Sequence, residues 1–164
     1  METRTDRIFI WICGASASGK GTLLDKIRDK EKKSSPGRAP ICGQVSFIDL
    51  SLGHGTGDIL NAGGDTIFIK WQRRESHCIE EIKRKMPGSK HRVIFLNPPL
   101  DKHTIYFYKK YADSLWLKQR LKLARPLTRK ESDQECVRDR KSNLNWLHKE
   151  CPVEYEIMDP LSIV

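Results

Sequence analysis

Nine consecutive residues, Gly14-Ala15-Ser16-Ala17-Ser18-Gly19-Lys20-Gly21-Thr22, carry the plainest chemistry in the chain. Two spaced glycines, a lysine and a following hydroxyl residue match the pattern of a phosphate-binding loop. Glycines let successive backbone N–H groups curl around phosphate oxygens. A helix opening at the same point adds the positive end of its dipole. On this reading Gly14 to Thr22 bind a nucleotide: Lys20 reaches the outer phosphates, and the Thr22 hydroxyl holds Mg²⁺. ATP and Mg²⁺ are the cofactors this implies.

The elements that must position the loop are legible on either side. The apolar run Ile8 to Cys13 reads as a buried strand, and Leu23, Leu24 and Ile27 give the following segment one apolar helical face. Further strands are predicted at 44–50, 65–71, 91–96 and 152–158. Helices are predicted at 75–86, 112–125 and 132–148, the last with Ser132 as N-cap and Glu135 in the capping-box position. Residues 103–108 are compatible with either strand or helix. Strands alternating with helices imply an α/β fold, a mostly parallel central sheet covered on both faces, in a single domain spanning 1–164. Asp49 ends the second predicted strand. In an open parallel sheet that edge faces the ligand crevice, so Asp49 is the candidate for orienting an acceptor or serving as its base, ahead of Asp58 and Asp65.

Composition narrows the setting. The 164 residues hold 30 basic and 21 acidic side chains, a net charge of +9. That excess suggests a polyanionic partner, although a lysine-rich surface also serves solubility. No apolar run approaches the roughly 18 residues of a membrane span. The charged start, Met1 to Arg7, does not read as a signal peptide. Cys13, Cys42, Cys78, Cys136 and Cys151 are scattered without a Cys-x-x-Cys pair, as expected of reduced thiols in the cytoplasm, and no structural metal is predicted. The basic loop 32–40, just downstream of the phosphate site, is either a contact for an acceptor substrate or a solvent loop, and 53–58 reads as a glycine-rich turn.

The Gly-Lys-Gly-Thr order resembles that of nucleoside monophosphate kinases, and the chain as a whole is most similar to guanylate kinase. Thr66 to Gln72 resembles that family's strand ending in Asp-hydrophobic-Gln, Val93 to Pro99 its Ile-Phe-Ile-x-Pro-Pro strand end, and Leu117 to Leu121 with Arg125 its Leu-x-x-Arg-Leu-x-x-Arg helix and lid. Arg140 falls where the helix after the lid carries a phosphate-facing arginine, and Glu154 to Asp159 resembles the closing strand. The resemblance implies the three-layer α/β/α P-loop kinase fold, with a lid at about 125–140. Arg120, Arg125, Arg138 and Arg140 become candidates for neutralising the transferred phosphate, Arg125 and Arg140 first among them, since guanidinium forks match phosphate oxygens.

Two departures stand out. Only about 43 residues, Leu23 to Asp65, fill the interval that in the family includes the guanosine monophosphate region, and the Thr-Thr-Arg signature has no counterpart. Lys70 stands where the family has an acid. A shortened acceptor region and a basic surface together suggest an acceptor too large to enclose. Trp71, Tyr106, Tyr108, Tyr111 and Trp116 are available to stack on bases. The expected function is therefore an ATP-dependent kinase acting on a nucleotide, a polynucleotide end, or a hydroxymethylated base (hydroxymethyluracil type) in phage DNA. The alternatives are a nucleoside monophosphate or small-metabolite kinase, and a non-catalytic nucleotide-binding module. Lys20→Ala should abolish transfer of labelled γ-phosphate while leaving the thermal midpoint close to wild type; unchanged transfer would remove the loop from the chemistry.

Overall fold

The computed structural model describes residues 7–33, 45–50, 56–71 and 76–160. The basic loop beyond Lys33, the glycine-rich turn before Thr56, Cys42 and Gln72 lie outside the described residues. In chain order the elements are β1 (Ile8–Gly14), α1 (Lys20–Lys33), β2 (Val45–Asp49), α2 (Thr56–Leu60), β3 (Thr66–Lys70), α3 (His77–Lys85), β4 (Lys90–Leu96), α4 (Leu100–Tyr111), α5 (Leu115–Leu121), α6 (Arg129–Glu150) and β5 (Tyr155–Met158).

The strands form one sheet in the order β2-β3-β1-β4-β5, each neighbouring pair parallel. Right-handed crossovers then dictate where the helices go. The step from β1 to β2 runs one way across the sheet and puts α1 on one face. The later steps to β3, β4 and β5 run the other way and put α2, α3 and α6 on the opposite face. Side-chain alternation along β1 follows this division. Phe9, Trp11 and Cys13 join Ile59, Ile79, Ile82, Trp146 and Leu147 in the larger core, while Ile12 meets Leu23 and Leu24 of α1. The expected α/β/α layering with a parallel sheet is the fold observed.

A third, smaller cluster joins Phe107 of α4, Leu117 of α5, Leu127 and Cys136 of α6, with Ala17 of the glycine-rich loop packed against it. The helical corner made by α4, α5 and α6 therefore supports the loop from the side. Residues 103–108, left open by the sequence, are helical: His103, Thr104 and Phe107 form the buried stripe of α4. The helix predicted over 112–125 is shorter, because Lys122 turns left-handed at φ 56° and caps α5.

The start of α6 is a correction. Its N-cap is Thr128, not Ser132, and Glu131 completes a reciprocal capping box. The Thr-x-x-Glu pattern simply occurs one turn earlier than the Ser-x-x-Glu pattern, directly after Pro126 and the buried Leu127. Ser132 is fully buried inside the helix, and its hydroxyl has no hydrogen-bond partner among the described residues. Trp71 is likewise a core residue, 3% exposed and edge-on to Trp146, so it is not available to stack on a base. Thr128→Ala should cost about 1 kcal/mol of unfolding free energy in urea. Ser132→Ala should change it by less than about 0.5 kcal/mol or stabilise, because no bonded hydroxyl is lost.

A candidate phosphate-binding site at the carboxyl edge of the sheet

Parallel strands bring Gly14, Asp49, Lys70 and Leu96 to the same edge of the sheet, since Gly14 pairs with Leu96 and Asp49 with Lys70. The loop leaves β1 at Gly14 with φ +147°, and Gly19 sits at φ +96°. A Cβ on Gly14 would stand 2.6 Å from Ser18 Oγ and 2.8 Å from the Leu96 carbonyl oxygen, so no other residue fits that turn. Ala17 adopts φ 63°, an uncommon conformation for a residue with a side chain. Ala15 and Ser18 are buried, whereas Thr22, in the first turn of α1, is exposed.

Lys20 lies folded over its own loop. Its Nζ donates to the carbonyl oxygens of Gly14 at 2.8 Å and Ala15 at 3.3 Å, and the residue is 7% exposed. Burial lowers its pKa from 10.5 to about 8; Cys13 and Asp139 oppose that shift, and the neighbouring charges of Lys70 and Lys110 add to it. A buried ammonium bonded to two carbonyls, beside helix N–H groups that lack intrahelical acceptors, suits a polyphosphate. The residues present fit the phosphate chain of a nucleotide.

The metal-binding part of the prediction fits less well. Mg²⁺ takes oxygen ligands, and the residue after Lys20 is a glycine. Facing that glycine is Lys70: a Cβ on Gly21 would stand 3.5 Å from Lys70 Nζ. That corner presents an ammonium paired with a carboxylate. Among the described residues no group of three or more His, Cys, Asp or Glu side chains is arranged to hold a metal ion. Asp49 pairs with Lys70 at 3.4 Å, both side chains largely covered. Asp49 is thereby brought to the loop through Lys70. Asp65 lies before β3, at the opposite edge of the sheet, and its carbonyl accepts from Ile8 N. Asp58 is exposed in α2.

A second set of contacts ties the loop to α4 and α6. The Ser16 N–H donates to Asp139 Oδ2 at 2.7 Å, and the Ser16 carbonyl accepts from His103 Nε2 at 2.8 Å. Arg140 Nη1 donates to the Pro98 carbonyl at 2.6 Å and to His103 Nδ1 at 2.8 Å. His103, 1% exposed, thus carries its proton on Nε2, and burial, reinforced by the Arg140 charge, lowers its pKa. His103 and Asp139 are the site residues sequence reasoning missed. No motif spacing marks them, and only the pairing of α4 with α6 brings them to Ser16.

The predicted arginines do not gather at the loop. Arg125 is exposed and forms a fork with both carboxylate oxygens of Glu131, at 2.7 and 3.3 Å. Arg120 and Arg138 flank the buried carboxylate of Glu135 at 3.9 and 3.6 Å. Arg140 alone of the four reaches the loop, through His103. Of the aromatic candidates, Tyr106 and Trp116 are about half exposed, at 51% and 48%.

The state of Lys20 sets a pH dependence. With its pKa near 8 against 10.5 in the unfolded chain, the folded protein releases this proton first. Its contribution to folding stability therefore rises with pH between about 8 and 10.5. Phosphate affinity moves the opposite way, because only the protonated form attracts the anion. Binding of a nucleoside triphosphate, followed by calorimetry, should weaken about tenfold between pH 8 and 9.5. Lys20→Arg, whose guanidinium stays charged, should flatten that decline.

No helix among the described residues is long and apolar enough to cross a membrane, and Cys13, Cys78, Cys136 and Cys151 are free thiols. No family model matches the chain, and no curated protein matches it. Among solved structures the chain is similar to the protein of the crystal structure of APE1195, at 14% identity and a TM-score of 0.44 over 88% of this chain and 98% of that one. It is also similar to a chain of the PezAT chromosomal toxin–antitoxin system of Streptococcus pneumoniae, at 13% identity and a TM-score of 0.49 over 97% and 71%. A gluconokinase from Sinorhizobium meliloti 1021 matches at 13% identity and a TM-score of 0.45, over 97% of this chain and 87% of that chain.

Proposed function

We propose that this chain is an ATP-dependent phosphotransferase: a single kinase domain, with residues at about 125–140 acting as its lid, working in the cytoplasm. The observation that carries the reading is Lys20, buried and folded over a glycine-rich loop at the carboxyl edge of a parallel sheet, with Asp49 reached from that loop through Lys70. Phosphoryl transfer asks the protein mainly for positioning and charge neutralisation, and these groups supply both. Loop amides and Lys20 hold the β- and γ-phosphates. Asp49 accepts the proton of an acceptor hydroxyl as its oxygen bonds to the γ-phosphorus and the bond to the leaving diphosphate breaks. Arg125, on leaving Glu131, and Arg140, on leaving Pro98, neutralise the transferred group. Bound with ATP, Mg²⁺ would neutralise phosphate charge, and Thr22 is the residue that would offer it a hydroxyl.

The acceptor in this reading is a nucleotide or nucleic acid. Support comes from the net charge of +9 and from exposed Tyr106 and Trp116 on the helices beside the loop. A hydroxymethylated pyrimidine in DNA fits an acid that takes a proton from a hydroxyl. A nucleoside monophosphate or small-metabolite kinase is the nearest alternative. A non-catalytic nucleotide-binding module is favoured by one contact, the Asp139 carboxylate on a loop N–H.

Labelled γ-phosphate should pass from ATP to DNA bearing hydroxymethylated pyrimidines when that DNA is offered beside plain DNA, nucleoside monophosphates and gluconate-like polyols. Asp49→Asn should lower kcat at least about a hundredfold without weakening ATP binding. Label entering only a monophosphate or a polyol would replace the acceptor. ATP bound without any transfer would leave the binding module.

A further inference from the structure

Lys70 occupies a place for which neither the phosphate loop nor the sheet has a structural need. β3 runs alongside β1 with Lys70 opposite Ile12, and the Trp71 N–H donates to the Ile12 carbonyl at 2.9 Å. Residues 67 and 69 face the larger core, so alternation sends Phe68 and Lys70 to the α1 face, beneath the first turn of that helix. The Lys70 ammonium faces residue 21: a Cβ on that glycine would stand 3.5 Å from Nζ and 4.0 Å from Cε, ordinary contact distances.

The pairing that holds Lys70 is loose. Its Nζ stands 3.4 Å from Asp49 Oδ2, long for a charge-assisted hydrogen bond, and its side chain is only 16% exposed. Meanwhile the Lys70 charge acts unfavourably on the buried Lys20, and Lys70 Nζ faces Gly21, the next residue of the loop. Like charges confined together favour an anion between them.

We propose that Lys70 is a second phosphate-contacting cation of the loop, held by Asp49 until a nucleotide's phosphates draw it away, so that filling the donor site releases the Asp49 carboxylate toward the acceptor. This rests on the nucleotide-binding reading above. In this reading an ammonium faces residue 21, where a glycine stands in place of the usual hydroxyl residue. It also implies that the chain binds the triphosphate well without a divalent ion, because a fixed protein charge already stands at that corner.

The test is ATP titration, with Mg²⁺ and separately with EDTA, of wild type, Lys70→Met, Lys70→Arg, Asp49→Asn, the Lys70→Met/Asp49→Asn double variant and Lys20→Met. Lys70→Met should weaken binding at least about tenfold in EDTA, the worth of one charge-assisted bond, while Lys70→Arg keeps it within about threefold. Asp49→Asn should tighten binding, and that gain should vanish in the double variant, because it acts by releasing Lys70. Unchanged affinity in Lys70→Met with a normal thermal midpoint, or an undiminished gain in the double variant, overturns the inference. Lys20→Met separates the levels: if it abolishes binding while Lys70→Met does not weaken it, only the role of Lys70 falls. If wild type binds no ATP, the nucleotide reading falls and takes this inference with it.

Discussion

No side chain fits at residue 14, and much of the site follows from that restriction. Gly14 is at once the last residue of the central strand, the partner of Leu96 across the sheet, and the lid over Ser18. The chain can turn there only because nothing projects from it, and the turn leads residues 15–19 round to the start of α1. Lys20 then finds the Gly14 carbonyl within reach. The same backbone group thus ends a strand, shapes the loop and holds the lysine.

The loop is not free-standing. Ala17 packs against the cluster formed by α4, α5 and α6, while both backbone groups of Ser16 are taken by side chains, Asp139 from α6 and His103 from α4. Arg140 completes the set by fixing the His103 tautomer and bonding to Pro98, at the point where the chain leaves β4. Two segments distant in sequence therefore converge on one residue of the loop. A positive φ at Ala17 persists because the surrounding contacts over-determine it.

The strand set, its parallel arrangement and the loop were legible in the sequence, because each rests on local signals: β-branched runs, glycine spacing, alternation with amphipathic segments. Where two signals competed, the sequence could not arbitrate. Thr128 and Ser132 both head a capping-box pattern, and only the packing of Leu127 against Leu117 and Phe107 decides which starts the helix. Residues 103–108 read as strand or helix because the stripe that distinguishes them contains His103 and Thr104, polar residues whose burial depends on Ser16 and Arg129 elsewhere in the chain. Asp139 and His103 gave no signal for the same reason. Lys70, by contrast, was visible as a misplaced charge, and the structure supplies what it faces. Trp71 shows the converse, an aromatic among basic residues that the core claims entirely.

Glu131 has two duties on one carboxylate. Its Oε1 accepts the Thr128 N–H that caps α6, and both oxygens bind the Arg125 guanidinium. Those bonds hold its pKa down to about 2, so it stays charged wherever the protein is folded and working. The two duties are separable. If Arg125 leaves for another anion, the Thr128 bond remains, and the first turn of α6 need not unwind. Departure of the arginine is thus a side-chain rotation about a fixed mount. The backbone that carries it can stay still while its charge changes address.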